Sequence, residues 1–283
     1  MIGALRLHWP EYLFEALLLG TFMVVACFTV FILEHPRSLV RRAMSSSLGR
    51  RVVIGIVMGL TAVTLIYSPM GQRSGAHMNP GTTLTFLLLA KIRGWDALFY
   101  ILAQFVGGVS GVGASAAVLG PSIRHESVNY VATQPGRHGA RVAWAAEFII
   151  AFGMMGMVLL SSNNSRSAPY TGIFAGTLVA VYIAIEAPLS GMSINPARTL
   201  GSAIPAWSFR GLWVYFTAPP LAMLAAATLY QAAFGADRIY CAKLNHRGHA
   251  PCIFNCRIER MPGWNPALAG GIQQPTADDR PAR

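Results

Sequence analysis

Hydrophobic positions along the chain gather into six long runs, at 12–33, 52–70, 96–119, 142–161, 170–187 and 211–234, with short polar stretches between them. A helix crosses the hydrocarbon of a bilayer with about 20 apolar residues, so each run is near spanning length. The fifth, at 18 residues, is the shortest. The pattern predicts six membrane-spanning helices. The first run follows Arg6 and has the outline of a signal peptide, but it is too long for one. Glu34, His35 and Pro36 behind it offer no small-residue cleavage site, so it is read as a retained span.

Two further apolar stretches, 80–90 and 196–206, are too short to cross, and each is introduced by Asn-Pro. Apolar segments of about 10–14 residues are more often re-entrant than spanning. Asn is a good helix N-cap, and Pro is favoured at the first helical position, where no backbone N–H is needed. Both stretches are therefore predicted to be half-helices. Their surroundings repeat: 74–84 reads SGAHMNPGTTL and 190–200 reads SGMSINPARTL, with six of the eleven positions identical at an offset of 116. Tyr100 and Ala103 recur as Tyr215 and Ala218 at an offset of 115, and Glu15 in the first span has a counterpart in Glu147. Each half reads span, span, half-helix, span. Three spans is an odd number, so the second copy enters the membrane from the opposite side. The result is an inverted repeat whose two half-helix N-termini meet near the midplane.

Composition agrees and narrows the class. The chain is 54% hydrophobic and 12% charged, with a mean hydropathy of +0.47. A soluble domain carries about 25% charged residues. An ordinary soluble enzyme and a disordered chain are both excluded, and four cysteines in 283 residues exclude a disulfide scaffold. No nucleophile–base pair or cofactor fingerprint points to an enzyme. The net charge of +11 comes from scattered Lys and Arg rather than a basic stripe, so anionic lipid headgroups explain it better than nucleic acid.

The chemistry follows from the two Asn-Pro turns. Each half-helix N-terminus brings about half a positive charge to the bilayer centre. That field repels cations, hydronium included, and leaves neutral solutes alone. The amides of Asn79 and Asn195 donate into the gap, and a water oxygen that accepts from both is a poor link in a proton chain. Arg198 follows the second turn. An Arg within the membrane costs about 2.5–3.5 kcal/mol on the insertion scale, so it is expected to face a pore rather than lipid.

At these residues the chain resembles the aquaporin (major intrinsic protein) family, from about Glu15 to Phe234. The resemblance rests on Asn79-Pro80-Gly81, on Asn195-Pro196-Ala197-Arg198, and on the third-span pattern Tyr100-Ile101-Leu102-Ala103-Gln104. It implies an all-α integral membrane protein: six transmembrane helices plus two re-entrant half-helices, built as inverted three-helix repeats and assembled as a homotetramer in the lipid bilayer. It further implies one pore per subunit, both termini cytoplasmic in a bacterial-type plasma or inner membrane, and no required cofactor. Glu15 and Glu147 match the family's buried glutamates, which hold the re-entrant loops. The backbone carbonyls of Gly75, Ala76, His77 and Met78, and of Gly191, Met192, Ser193 and Ile194, would form the acceptor ladder. Arg198 matches the Arg that lines the narrowest point of the family's pore, with Met58, Met192 and either Tyr182 or Ile183 as its companions. Gly81 departs from the family's usual Ala. A missing methyl group there implies a looser fit between the half-helices and a cost of roughly 0.5–1 kcal/mol.

The permeant is read as water. Thr199, Ala203 and the Tyr215-Phe216 pair match the family's water-type pattern, while the Met-rich filter and the absence of a fifth-span His pull the other way. Facilitated passage of glycerol, ammonia, hydrogen peroxide or small polyols is the alternative. A solute transporter built on the same inverted repeat is a third reading, with Glu15, Glu147 and Glu186 as the acids near the spans. Charge and resemblance disagree on orientation. Lys and Arg number five on the segments expected inside and ten on those expected outside, which contradicts the positive-inside rule until the tail adds its seven.

The organisation expected is a channel domain over 1–235, with repeat one at about 12–120 and repeat two at about 142–235, and a polar tail over 236–283 whose last 20 or so residues are disordered. Cys241, His246, His249, Cys252 and Cys256 fall within sixteen residues of that tail. Any four of the five would supply the thiolate and imidazole ligands of a tetrahedral zinc site, although the spacing matches no common finger. The alternative is a polar loop near the headgroups. Cys27 is read as packing, and His77 either as a pH-sensitive group at the inner mouth or as a side chain packed against its loop.

Overall fold

The structure, a computed structural model, describes residues 1–246 and 251–265. Its helices are α1 (Ile2–Glu34), α2 (Leu39–Ala43), α3 (Ser47–Tyr67), α4 (Pro69–Ser74), α5 (Pro80–Leu88), α6 (Gly94–Leu119), α7 (Gly139–Ser162), α8 (Thr171–Ile185), α9 (Ala187–Ser190), α10 (Pro196–Ala206) and α11 (Leu212–Phe234). The described residues hold no strand. Six helical stretches among the described residues are long and apolar enough to cross a membrane: α1, α3, α6 continued to Arg124, α7, α8 with the turn that precedes it from Ala168, and α11. The chain is an all-α, multi-pass integral membrane protein. α1 starts ten residues before its apolar run, because Ile2–Glu11 continues the same helix with Arg6, His8 and Glu11 outside the apolar stretch.

The two halves fold alike and interlock. α1 packs along α6 in the first half, as α7 packs along α11 in the second, and α3 meets α8 across the repeats. Lipid tails are as apolar as leucine, so these helices are held by close backbone approach rather than by exclusion of water. Small residues make the approach possible. A Cβ on Gly107 of α6 would lie 2.1 Å from the Ala16 carbonyl oxygen of α1, and one on Gly55 of α3 would lie 2.4 Å from the Ala180 oxygen of α8.

α5 and α10 are the two half-helices. Asn79 caps α5 through Gly81 N–H, and Asn195 caps α10 through the N–H groups of Ala197 and Arg198, with proline first in both helices. Each half-helix packs mainly on the third span of the opposite half, α5 on α11 and α10 on α6. That exchange joins the repeats and brings both Asn-Pro turns to the centre. Residues 239–244 and 254 of the tail lie in the same apolar core as the spans, through Ile239, Cys241, Ala242, Leu244 and Phe254. His249 and residues 266–283, for which disorder was expected, lie outside the described residues.

Candidate functional site

Each re-entrant loop is strung on one buried carboxylate. Glu15 Oε1 accepts from Ser74 Oγ (2.8 Å) and His77 N–H (3.0 Å), while its Oε2 accepts from Met78 N–H (2.6 Å) and Gln104 Nε2 (2.8 Å). Glu147 repeats the arrangement: Oε1 accepts from Ser190 Oγ (2.6 Å) and Ser193 N–H (2.7 Å), and Oε2 from Ile194 N–H (2.6 Å). Both acids are fully buried. A buried carboxylate is tolerated only when paired or hydrogen-bonded, and here each turns its loop's N–H groups inward. Tyr100 and Tyr215 finish the frame by donating to the carbonyls of Ser74 and Ser190. One asymmetry is plain: Gln104 gives Glu15 a fourth bond, and the same offset of 115 in the second half falls on Pro219, which has no donor.

With the N–H groups held, the loop carbonyls are free to face the other way. Gly75, Ala76 and Met78 have positive φ (89°, 54° and 48°), and Gly191, Met192 and Ile194 repeat it (85°, 52° and 48°). For non-glycine residues such angles are uncommon and persist only where the surroundings enforce them. The two half-helices then lock reciprocally. Asn79 Nδ2 donates to the Ile194 carbonyl and Asn195 Nδ2 donates to the Met78 carbonyl, both at 2.7 Å. An amide nitrogen carries two hydrogens, so each asparagine has a second N–H beyond this lock.

Both asparagines, together with Arg198, line a partly open cavity of about 260 Å³. Arg198 is fixed by a bond from one guanidinium nitrogen to the Val131 carbonyl oxygen (2.8 Å). Met58 and Met192 are also in the wall. Of the two fifth-span candidates, Ile183 lines the cavity and Tyr182 does not. α8 presents Ala175, Val179 and Ile183 to the cavity at a spacing of four, one helix face, and this turns Tyr182 toward Gly153 of α7.

The missing methyl of Gly81 leaves no gap. A Cβ there would lie 2.8 Å from Met223 Sδ, so the thioether of α11 fills the space expected to be loose. Gly81→Ala should change stability by less than about 1 kcal/mol, because Met223 is flexible and alanine favours the helix. Thermal melting of the purified protein checks it. A loss as large as that of a buried Leu→Ala would mean that Met223 cannot move.

His77 is packed rather than open to solvent. Its ring stacks between Phe86 and Phe254, with centroids 5.2 and 5.4 Å away. Nδ1 faces Thr83 Oγ1 (3.1 Å) and Nε2 faces the Ala242 carbonyl (3.0 Å), so the neutral ring carries its proton on Nε2. The tail thus lies against the first Asn-Pro loop, and Leu244 N–H donates to the Gly75 carbonyl (3.1 Å). Leu244 is also part of the cavity wall. Behind it, Cys241, His246, Cys252 and Cys256 converge. Burial, followed by the two neighbouring thiols, pushes the Cys241 thiol well above its ordinary value.

Sequence reasoning missed several supports. Ser74 and Ser190 were visible as identities in the repeat but were given no role, although they anchor both glutamates. The Val131 carbonyl and the Leu244 and Phe254 contacts carry no local signal.

A family model described as major intrinsic protein matches residues 9–230. Among curated proteins, the chain is 34% identical to aquaporin NIP2-3 of Zea mays over 189 residues, 66% of this chain and 59% of that one. It is 37% identical to aquaporin NIP6-1 of Arabidopsis thaliana over 170 residues, 60% and 54% respectively. The matched region spans about six-tenths of the length of the curated relatives. The X-ray structure of the aquaglyceroporin from Plasmodium falciparum superposes with a TM-score of 0.65 at 17% identity, over 79% of this chain and 95% of that one, a likeness of fold. The two curated relatives are plant proteins, so they lend no support to the bacterial-type membrane expected from the sequence.

Proposed function

The chain belongs to the major intrinsic protein family, and on that premise we propose that it is a passive channel conducting water, not an enzyme. The observation that carries this reading is the reciprocal pair of bonds from Asn79 and Asn195 to the opposite loop. They leave one amide donor from each half at the meeting point of two half-helix N-termini. A single-file water accepts from both and is turned so that it cannot pass a proton on, while the two positive helix ends repel cations. Arg198 adds a fixed positive charge and donors further along the lumen. Glu15 and Glu147, with three or four bonds each, serve as structural acceptors, which argues against a proton-coupled transporter. We propose Met58, Ile183, Met192 and Arg198 as the constriction, a homotetramer as typical of the family, and both termini on the cytoplasmic side. N-terminal α1 and the tail do share a side: Arg73 of α4 pairs with Glu11 (2.8 Å), and the tail docks on the loop that follows α4.

A second reading has one observation in its favour. Met58, Ile183 and Met192 are apolar, and an apolar wall suits the carbon face of glycerol. Stopped-flow light scattering on proteoliposomes under parallel water and glycerol gradients separates the two. Fast water shrinkage with slow glycerol entry is expected, and Arg198→Ala should raise glycerol entry about tenfold by removing the side chain and charge at the constriction. Equally fast entry of both solutes in the wild type would replace the water reading with the glycerol one. Flux no greater than that of empty liposomes would remove both.

A further inference from the structure

The tail's cysteines and histidine come together in space although their sequence spacing fits no common finger. Cys241 Sγ, a ring nitrogen of His246, Cys252 Sγ and Cys256 Sγ all lie within 4.8 Å of one another. The edge between Cys241 Sγ and Cys252 Sγ is 3.6 Å, and that between Cys256 Sγ and His246 Nε2 is 3.2 Å. In a tetrahedral zinc centre, bonds of about 2.3 Å to sulfur and about 2.0 Å to nitrogen set neighbouring ligand atoms roughly 3.5–3.8 Å apart. The cluster is therefore sized for one ion at its centre. All four residues contribute soft or borderline donors, three thiols and one imidazole. That set suits zinc and does not suit magnesium or calcium, which take oxygen. The cysteines are free.

The ligands sit on two short segments, 241–246 and 252–256, neither of which has a helix or strand of its own. Each segment nevertheless has a foot on the channel. Leu244 N–H donates to the Gly75 carbonyl, and Phe254 covers Gly75 so closely that a Cβ there would lie 2.9 Å from its ring. Asn255 N–H donates to the Lys91 carbonyl (2.9 Å) and Asn255 Nδ2 to the Ala90 carbonyl (2.7 Å). The segments are tied to one another by Lys243 Nζ to the Pro251 carbonyl (2.8 Å). Neither segment has a helix or strand to fix its backbone, and a bound ion would add a cross-link between them beyond the apolar contacts of Leu244 and Phe254.

We infer that Cys241, His246, Cys252 and Cys256 bind one zinc-class divalent ion per chain, and that this ion fastens both tail segments over the mouth of the lumen at the first Asn-Pro loop. The inference goes beyond the conduction reading and stands whatever solute passes. Gly75 offers the first carbonyl of the ladder, and Leu244 occupies it, so the ion holds a side chain and a backbone N–H where a permeant would first bind.

The test uses the full chain, without a polyhistidine tag, in detergent. Protein stripped with a chelator is dialysed against zinc, the bound metal is counted by mass spectrometry, and tryptic cleavage after Arg257 and Arg260 is timed with and without the ion. About one zinc per chain is expected in the wild type and in Cys27→Ser, whose thiol lies in α1. Cys252→Ser and Cys256→Ser should bind at least about tenfold more weakly. Zinc should slow cleavage about tenfold in the wild type and have little effect in the two tail variants. A cobalt-loaded sample provides a second measurement, a sulfur-to-metal charge-transfer band that the variants lose. Size-exclusion profiles matching the wild type show that the channel itself stays folded in the variants. Failure to retain zinc, equal affinity in Cys252→Ser, or a disulfide forming between Cys241 and Cys252 in place of metal binding overturns the site. Full binding with unchanged cleavage overturns the fastening.

Discussion

Glu147→Ala is expected to remove the folded protein rather than to slow the proposed conduction. The carboxylate accepts from Ser190 Oγ, Ser193 N–H and Ile194 N–H, all in a fully buried position. Alanine leaves two backbone donors and one hydroxyl without an acceptor, where water does not reach them. Each such loss costs about 1–3 kcal/mol, so the three together cost roughly 3–9 kcal/mol. A typical margin of stability is about 5–15 kcal/mol, so a loss of that size is comparable to the margin itself. The second loop also holds Met192 and Ile194 at positive φ, a conformation that relaxes once its tether is gone. Glu147→Gln should be intermediate: its oxygen still accepts from Ser190 and Ser193, but its NH2 would face the N–H of Ile194. Size-exclusion yield in detergent and the thermal midpoint are the measurements. A Glu147→Ala protein that elutes normally and melts within about 2 °C of the wild type would show that the acid is not the loop's anchor.

Gly107→Val should be comparably severe for a steric reason. Even the first added carbon would lie 2.1 Å from the Ala16 carbonyl oxygen and 2.7 Å from the Ala16 carbonyl carbon and Cα. These are backbone atoms of a spanning helix, so no side-chain rotation relieves the clash, and α1 must move bodily away from α6. Ala16 is next to Glu15, whose four bonds set the first loop, so the displacement reaches that loop and the cavity it lines. Overpacking a core costs about 1–3 kcal/mol where side chains can adjust, and more is expected here. Gly113 of the same helix has open space around its Cβ position and is the matched control. Gly113→Val should fold with close to wild-type yield. Equal yields for the two variants, read by the same size-exclusion assay, would show that the α1–α6 approach is not tight.

The local elements were legible in the sequence because their causes are local. Spanning length, the Asn-Pro start of a helix and a repeat at a fixed offset are all properties of neighbouring residues. Together they gave six spans, two half-helices and an inverted pair. The roles of Glu15 and Glu147 came from the family resemblance, and the structure adds the donors they hold. The end of α10 was read to the residue, at 206, while the start of α1 was missed by ten because its first turns stay helical beyond the apolar run.

Other features depend on residues far apart in the chain. Asn79 and Asn195 donate to each other's loops across 115 and 117 positions, and only the exchange of half-helices between the repeats makes that possible. Arg198 is aimed by a carbonyl at Val131, a kind of group that every residue possesses. Ile183 rather than Tyr182 faces the cavity because the rotation of α8 is set by its contact with α3. Met223 fills the space beside Gly81 from another helix. The tail ligands, spread over sixteen residues with no recognisable spacing, meet because Leu244 of one segment and Phe254 of the other both rest against Gly75. The sequence by itself determined which segments enter the membrane and where the half-helices begin, since hydrophobic length and N-capping act over a few residues. The tertiary structure alone decided which groups face the cavity and which tail residues lie against its first loop, since that is settled by packing between segments distant in the chain.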